Sequence, residues 1–246
     1  MRANNQLNAT RQVGTGLSFV VFPFIFIFAF SVHPGLLHPR LLDPSELILR
    51  ARGDGLLQFA HALVTLNTGL LVVVALHFMT LLDRSSGAWA GFVGAALVVL
   101  GSLALAADKG ALCLTMSALD GLSDAEFANM MPGLLAMFSK RGWLVLLWGI
   151  LLLPIGFGIQ AIALIRTRAI ARWQGLLFLV GVLLIGTPDG VEIVNLTGSI
   201  LLAIAFVPYG IGIIRDARKE AVVDGGGKPD PLVGSVGRAP RRRSKL

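Results

Sequence analysis

Residues 56–82 read LLQFAHALVTLNTGLLVVVALHFMTLL, and this stretch decides the fold class because it contains no Lys, Arg, Asp or Glu. An α-helix needs about 20 mostly apolar residues to cross roughly 30 Å of hydrocarbon, at about 1.5 Å of rise per residue. Residues 56–82 exceed that length. The stretch therefore predicts a helix that spans a membrane.

Five further apolar runs occur in the chain, before and after this segment. The chain is 55% hydrophobic and only 14% charged, where an average soluble domain has about 25% charged residues. Near-continuous apolar runs indicate lipid as the surrounding solvent. We therefore expect an all-α, polytopic transmembrane helical bundle over residues 1–214, embedded in the lipid bilayer, and a basic, disordered tail over residues 215–246. The six predicted spans are residues 16–31, 56–82, 88–107, 143–165, 170–188 and 191–214.

The distribution of positive charge predicts the orientation. The chain has a net charge of +7, and much of its Lys and Arg lies after residue 214. Placing that tail in the cytoplasm puts about 15 basic residues inside and about 6 outside, as the positive-inside rule requires. We expect an inner (plasma) membrane protein with both termini cytoplasmic. Arg241, Arg242 and Arg243 would contact anionic lipid headgroups, at about 1 kcal/mol per charge, and no nucleic-acid partner is expected.

The amino-terminal segment has a second interpretation. Arg2 and Arg11 precede an apolar run of about 15 residues that ends in Ala29-Phe30-Ser31, a pattern that also fits a cleaved secretory signal. Cleavage would leave five spans and an amino end outside the cell. Pro23 and the length of the run favour a retained span.

Two short helices are predicted in the outer loops. Asp43-Pro44-Ser45-Glu46 is a helix start, with Asp43 as the cap and Glu46 reaching back, and the helix should run over residues 44–52 at the membrane surface. In the loop of residues 108–141, Ser123-Asp124-Ala125-Glu126 forms a capping box ahead of an apolar stripe that ends at Phe138. Pro132-Gly133 should bend or split this second helix.

Polar side chains inside the predicted spans are the candidate functional residues, because ionisable groups in a bilayer are costly and mark functional sites by default. Asp54, Gln58 and His61 begin a stripe on the second span, within an arc of about 80° that continues to Thr65 and Thr68. Glu192 and Asn195 begin a similar arc of about 60° on the sixth span, which continues to Ser199. If the two stripes face each other, Asp54, Gln58, His61, Glu192 and Asn195 line an outer polar cavity that binds a ligand, with His33 or His38 nearby. The alternative is structural, because helix caps and hydrogen bonds between helices account for the same residues.

The histidines also allow a haem hypothesis. His61 and His77 are separated by about 24 Å along the second span, but their directions differ by about 160° and no other span carries a histidine. A single haem held by His61 with His33 or His38 therefore remains as an alternative. A metal site built from His33, His38, His61 and Glu192 has suitable ligand types without a recognisable spacing. The expectation is no cofactor and no metal. The single cysteine, Cys113, excludes an internal disulfide.

Residues 166–175, RTRAIARWQG, place a basic loop and a Trp ahead of an aliphatic span. This stretch resembles one found in uncharacterised bacterial multi-pass membrane proteins of similar size, which have about six helices and no established activity. The resemblance covers about the last third of the chain and implies fold class and location only. No motif of a hydrolase, phosphate-binding loop, dinucleotide-binding fold or zinc protease occurs, so we expect no enzymatic activity.

Three hypotheses for function follow. The first is a protein that binds or passes a small molecule or ion through the outer cavity. The second is a structural or accessory membrane subunit without a ligand, acting on a membrane protein partner. The third is a haem-binding redox protein.

Overall fold

A computed structural model describes the backbone of residues 2–34, 36, 43–139, 142–186 and 191–225, and the side chains of those ranges between residues 7 and 219. Helices account for every regular element in these ranges. In chain order they are α1 (Arg2–Ser31), α2 (Pro44–Ala51), α3 (Gly55–Leu82), α4 (Ala88–Leu119), α5 (Asp124–Phe138), a 3₁₀ helix (Gly142–Leu151), α6 (Leu152–Thr167), α7 (Arg172–Ile185) and α8 (Glu192–Gly225).

Five helical segments of the described chain are long and apolar enough to cross a membrane: Leu7–Ser31, Gly55–Leu82, Ala88–Leu119, Gly142–Thr167 and Glu192–Lys219. The prediction of an α-helical transmembrane bundle is confirmed at this level, but the predicted number of six spans is not reached by these criteria. The predicted span 170–188 contains only α7, which has 14 residues. α7 begins late because Arg168 adopts a left-handed conformation that ends α6 and a turn follows. It ends early at Gly186, just before the Thr-Pro sequence that would break a helix.

Two other predicted boundaries also move. α4 continues for twelve residues past the predicted end of its span at residue 107, so Asp108 and Lys109 lie within a helix and not in a loop. α8 runs on to Gly225, past the predicted boundary at residue 214. Residues 226–246 of the predicted tail, with Arg241, Arg242 and Arg243, lie outside the described residues.

Six of the helices form a closed ring, in the order α1, α3, α4, α6, α7 and α8. α1 packs beside α3 and α8, α4 packs beside α3 and α6, and α7 packs beside α6 and α8. Neighbours in the ring run antiparallel: Gly94 lies against Gln160 while Gly101 lies against Leu153 further along α4. In the same way, Gln174 at the start of α7 bonds to Ala205 of α8, while Ile185 at the end of α7 contacts Gly198. Each helix of the ring therefore runs in the opposite direction to the helices on either side of it.

Aromatic rings fill the centre of this ring of helices. Phe78 of α3 contacts Phe19 of α1, Phe178 of α7 and Phe206 of α8, with ring centroids between 5.2 and 5.7 Å apart. All four rings are buried, whereas Phe24 on the opposite face of α1 is exposed. Large apolar side chains cover the outer surface of the bundle as well, among them Leu66, Leu103 and Leu183. A helix that is apolar on all sides is typical of a membrane span.

Glycines allow three pairs of helices to approach closely. A Cβ atom added to Gly156 of α6 would lie 2.5 Å from the carbonyl oxygen of Gly94 in α4. The same arrangement joins Gly210 to Gly16 and Gly198 to Gly181, with 2.5 and 2.7 Å to the opposite carbonyl oxygens. Small residues at helix crossings are typical of membrane bundles, where packing replaces the hydrophobic effect as the force between helices.

Buried amide side chains add hydrogen bonds between helices. Gln160 of α6 is fully buried and donates from Nε2 to the carbonyl oxygens of Ala75 and Gly91, at 3.0 and 3.1 Å. Asn67 of α3 donates to the carbonyl oxygen of Phe22 in the same way, at 3.2 Å. Each bond joins a side chain of one helix to the backbone of another, at about 0.6–1.7 kcal/mol in a membrane.

α2 and α5 pack together as a cap over the amino-terminal end of α3 and the carboxyl-terminal end of α4. Ile48, Leu119, Phe127 and Leu134 form a small apolar core that is separate from the aromatic core of the ring. Both predicted helices are confirmed, and the capping box of Ser123 and Glu126 is complete. α5 is continuous through Pro132, so the helix is not split there.

Candidate functional site

A pocket lies beneath the cap formed by α2 and α5, and two of the predicted site residues, Gln58 and His61, line it. The space between the lining residues is about 580 Å³, a figure that includes space open to the surroundings. Its walls come from the residues just after α1, from α2, α3 and α4, and from the last residue of α5. The lining residues are His33, Pro34, Leu47, Ile48, Ala51, Leu57, Gln58, His61, Lys109, Leu112, Met116 and Phe138. Eight of these twelve are apolar, and the polar ones are His33, Gln58, His61 and Lys109.

Gln58 is turned toward α4, whereas Asp54 caps its own helix. The Asp54 carboxylate accepts from the backbone N–H of Leu57 at 3.0 Å. Gln58 donates from Nε2 to Asp120 and accepts from the Ser117 hydroxyl at 2.7 Å. The side chain of Gln58 therefore meets α4 and not the sixth predicted span. In the ring, α1 lies between α3 and α8.

Glu192 and Asn195 lie at the amino-terminal end of α8 and are almost completely buried, with 1% and 2% of their surface exposed. Asn195 donates from Nδ2 to the Glu192 carboxylate at 3.4 Å, and the Ser199 hydroxyl donates to the carbonyl oxygen of Asn195. Glu192 also contacts Nδ1 of His33 at 3.5 Å.

His33 connects the two predicted stripes. Its ring contacts Glu192 of α8, and it also lines the pocket together with Gln58 and His61 of α3. His33 lines the observed pocket, whereas His38 lies outside the described residues. The site is thus a pocket beside α3 and α4, with the buried carboxylate of α8 reached through one histidine.

Asp108 and Lys109 are the residues that sequence reasoning missed. Asp108 is 6% exposed, Lys109 lines the pocket, and their side chains form an ion pair at 3.5 Å. The sequence prediction ends the third span at residue 107, because Asp108 and Lys109 are charged. A signal was present, however, because Leu105, Asp108, Leu112 and Met116 follow one another at helical spacing.

His77 has a separate environment in the other half of the bundle. Its Nε2 atom forms a hydrogen bond of 2.9 Å with the Tyr209 hydroxyl, and its ring packs edge to face against Phe19. His77 is therefore turned away from the pocket that His61 lines. In the described part of the chain, no three His, Cys, Asp or Glu side chains converge as metal ligands would.

Comparison with known proteins adds no further constraint. No protein family, curated protein or solved structure matches this chain. Function must be argued from the site itself. The lining of the pocket has the composition of a small-molecule site, since such sites combine apolar walls with a few polar groups.

Proposed function

We propose that this chain is a six-pass bacterial inner-membrane protein, with both termini in the cytoplasm, that binds a small molecule in the pocket beneath the cap. The observation that carries the proposal is the pocket lining, in which eight apolar residues surround four polar ones, His33, Gln58, His61 and Lys109. The sequence resemblance to bacterial multi-pass proteins supports the cellular location.

The antiparallel packing of α7 supports a sixth pass. Gly175 near its start contacts Ile165 at the end of α6, and Gly186 after its end contacts Pro154 near the start of α6. α7 therefore runs back along most of α6. If α6 and α8 both cross the bilayer, the chain must return between them, and α7 is the segment that does so.

The distribution of arginine and tryptophan supports the orientation. Arg84, Arg166 and Arg172 are exposed at the end of the bundle where α3 and α6 finish and where α4 and α7 begin. Trp89 and Trp173 are exposed one turn or less inside those starts. Basic residues on the cytoplasmic side and Trp at the interface are the two common orientation signals of membrane proteins.

A pocket-filling substitution tests ligand binding. Leu112→Trp places a large ring in the pocket, whereas Leu114→Trp, two residues away, places it on the exposed face of α4. Native mass spectrometry of protein purified from its own membrane should show a bound small molecule in the wild type and in Leu114→Trp, and not in Leu112→Trp. The proposal fails if the wild type carries no small molecule, or if Leu112→Trp retains it.

A structural or accessory role is the second candidate, and the bonds from Gln58 to Ser117 and Asp120 favour it because they hold α3 against α4. Replacing His61 by Leu and Glu192 by Gln separates the two functions. An accessory subunit would keep its expression, its thermal melting and its membrane protein partner in both variants. A ligand-binding protein would lose bound ligand in the His61 variant at least.

A further inference from the structure

Two turns meet at the end of the bundle that lies opposite the pocket. The turn between α3 and α4 adjoins the turn between α6 and α7, because a Cβ atom added to Gly87 would lie 3.2 Å from Cγ2 of Thr167. Folding therefore brings together two segments that are distant in the sequence. Four arginines lie in or beside these turns: Arg84, Arg166, Arg168 and Arg172.

These four arginines are exposed and have no counter-charge. In the ranges that the structure describes, none of their guanidinium groups forms a hydrogen bond or an ion pair. Residues 83–89 and 166–173 contain these four arginines and one acidic residue, Asp83, so their net charge is +3. The positive-inside rule accounts for basic residues on one side of a membrane. It does not require that they meet at one place without a partner.

Arg168 keeps its position in a strained backbone conformation. Among the described residues it is the only one other than glycine with a positive φ, at 56°. It directly follows α6, and helices that end in this left-handed conformation usually have glycine there. Residues held in such conformations cluster at functional sites. The guanidinium of Arg168 is therefore a candidate for binding.

The outer face of α6 continues from these arginines as an apolar surface. Ile155, Ile162 and Arg166 are seven and four residues apart, so they lie along one side of the helix. All three are exposed. Exposed apolar side chains of the two neighbouring helices extend this surface on either side: Phe92 of α4 and Leu176 of α7.

Two tryptophans lie at the boundary between the basic and the apolar parts of this surface. Trp89 and Trp173 are the second residues of α4 and α7, and they are 76% and 49% exposed. An indole ring with one apolar and one polar edge is suited to the level of lipid headgroups. The arginines therefore lie at the level of lipid phosphates, and Ile155 and Ile162 at the level of acyl chains.

The chemistry of the arginines identifies the headgroup. A guanidinium group donates two parallel hydrogen bonds to a phosphate, which an ammonium group does not do. A zwitterionic headgroup offers the same phosphate, but its own cation would be repelled by the net positive charge of the two turns. A headgroup with a net negative charge has no such cost.

We propose that this end of α6 binds an anionic phospholipid. Arg166 and Arg168 donate to its phosphate, Arg84 and Arg172 flank the headgroup, and an acyl chain packs along Ile155 and Ile162. The site does not depend on the pocket beneath the cap, because the two lie at opposite ends of α3 and α4.

Three probes test the class of ligand. Dioleoylphosphatidylglycerol has a net negative headgroup, dioleoylphosphatidylcholine has the same acyl chains and phosphate with no net charge, and glycerophosphoglycerol is the anionic headgroup without chains. Each is added to the purified full chain in dodecyl maltoside, and bound probe is counted by native mass spectrometry. The variants are Arg168→Gly and Arg166→Gln. Arg218→Gln is the matched control, because it removes one exposed positive charge from α8, which does not adjoin α6 in the ring.

The wild type should bind dioleoylphosphatidylglycerol about tenfold more tightly than either of the other probes. Arg168→Gly and Arg166→Gln should each weaken that binding about fivefold, the factor expected for one charge near a membrane surface. Arg218→Gln should bind as the wild type does. Glycine adopts the backbone conformation of residue 168 without strain, so the thermal melting of Arg168→Gly should not fall. Weaker binding in a chain of unreduced stability is not explained by misfolding.

Three results would overturn the inference. Equal binding of the two dioleoyl lipids would show that net charge is not selected. Equal binding of glycerophosphoglycerol would show that the site takes an anion and not a lipid. If Arg218→Gln weakens binding as much as Arg168→Gly and Arg166→Gln do, the overall charge of the protein attracts the lipid and these two turns form no site. If Arg168→Gly does melt at a lower temperature, the comparison of Arg166→Gln with Arg218→Gln decides.

Discussion

The crossing of α4 and α6 at Gly94 and Gly156 makes the packing of the bundle directly measurable. In Gly156→Ala the new Cβ atom would lie 2.5 Å from the carbonyl oxygen of Gly94, 2.8 Å from the backbone nitrogen of Val98 and 2.9 Å from Cβ of Leu97. Two of these three atoms belong to backbone and cannot rotate away. Ordinary contact begins near 3.4 Å, so the two helices must separate.

The cost of this separation can be estimated from packing. Inserting a methyl group into a well-packed core costs about 1–3 kcal/mol. Separation also weakens the bond from Gln160 to the carbonyl oxygen of Gly91, which spans the same two helices at 3.1 Å. A gain of about 1 kcal/mol in helix propensity from Gly to Ala works in the opposite direction.

Gly158→Ala is a matched control for this propensity gain. It lies in the same helix two residues away, and an added Cβ atom there has nothing within 4 Å. The propensity gain then cancels between the two variants. We expect the free energy of unfolding of Gly156→Ala to be about 1–3 kcal/mol lower than that of Gly158→Ala.

Unfolding in mixed micelles of dodecyl maltoside and increasing SDS, followed by far-ultraviolet circular dichroism, measures this difference. Values that agree within about 0.5 kcal/mol, close to the limit for independent surface sites, would refute the reasoning. They would mean that α4 and α6 do not cross at these glycines.

The other predictions concern the cap and the orientation. Arg52→Ala should lower the free energy of unfolding by about 1 kcal/mol and speed amide exchange in α5. Arg52 donates to the carbonyl oxygen of Leu122 at 2.6 Å and stacks 4.4 Å above the ring of Phe127. Its ion-pair partner Asp124 is too exposed to contribute much. Hydrogen bonds from the Ser123 hydroxyl and backbone N–H lower the pKa of Glu126 below its ordinary 4.5. The capping box therefore stabilises α5 above that pH, and the contribution is lost as the pH falls through the lowered pKa. Protection against amide exchange at the start of α5, measured relative to the intrinsic exchange rate at each pH, should therefore decrease in acid, and Glu126→Gln should abolish this decrease. Cys113 is the only cysteine, and in intact cells without denaturant it should react with a membrane-impermeant maleimide. The reaction should be slower in the wild type than in Arg52→Ala, in which the cap is opened. Labelling that occurs only in inverted vesicles would contradict the orientation.

The sequence predicts where the helices of this fold lie better than it predicts which side chains and helices pack against them. Runs without charge located the spans, and Asp43 and Ser123 located the starts of α2 and α5, because caps and length are local properties. The end of α4 was placed too early, since Asp108 and Lys109 are tolerated inside the helix by pairing with each other. Whether a charge ends a helix depends on a partner that periodicity does not reveal.

The candidate site shows the same limit. Helical spacing predicts that Asp54, Gln58 and His61 share one side of α3, but it contains no information on which helix that side meets. The ring order places α4 beside α3, and Gln58 bonds to Asp120 accordingly. His33, close in sequence to neither stripe, reaches both of them in space.

If α7 crosses the bilayer, as proposed above, its brevity has a consequence for the surrounding lipid. Its 14 residues span about 21 Å, against roughly 30 Å of hydrocarbon, and Leu176, Val180 and Leu183 are exposed along its outer face. Such a mismatch is met by local thinning of the bilayer, at fractions of a kcal/mol per Å. Lipids with shorter acyl chains should therefore gather beside α7, and the protein should be most stable in thin membranes.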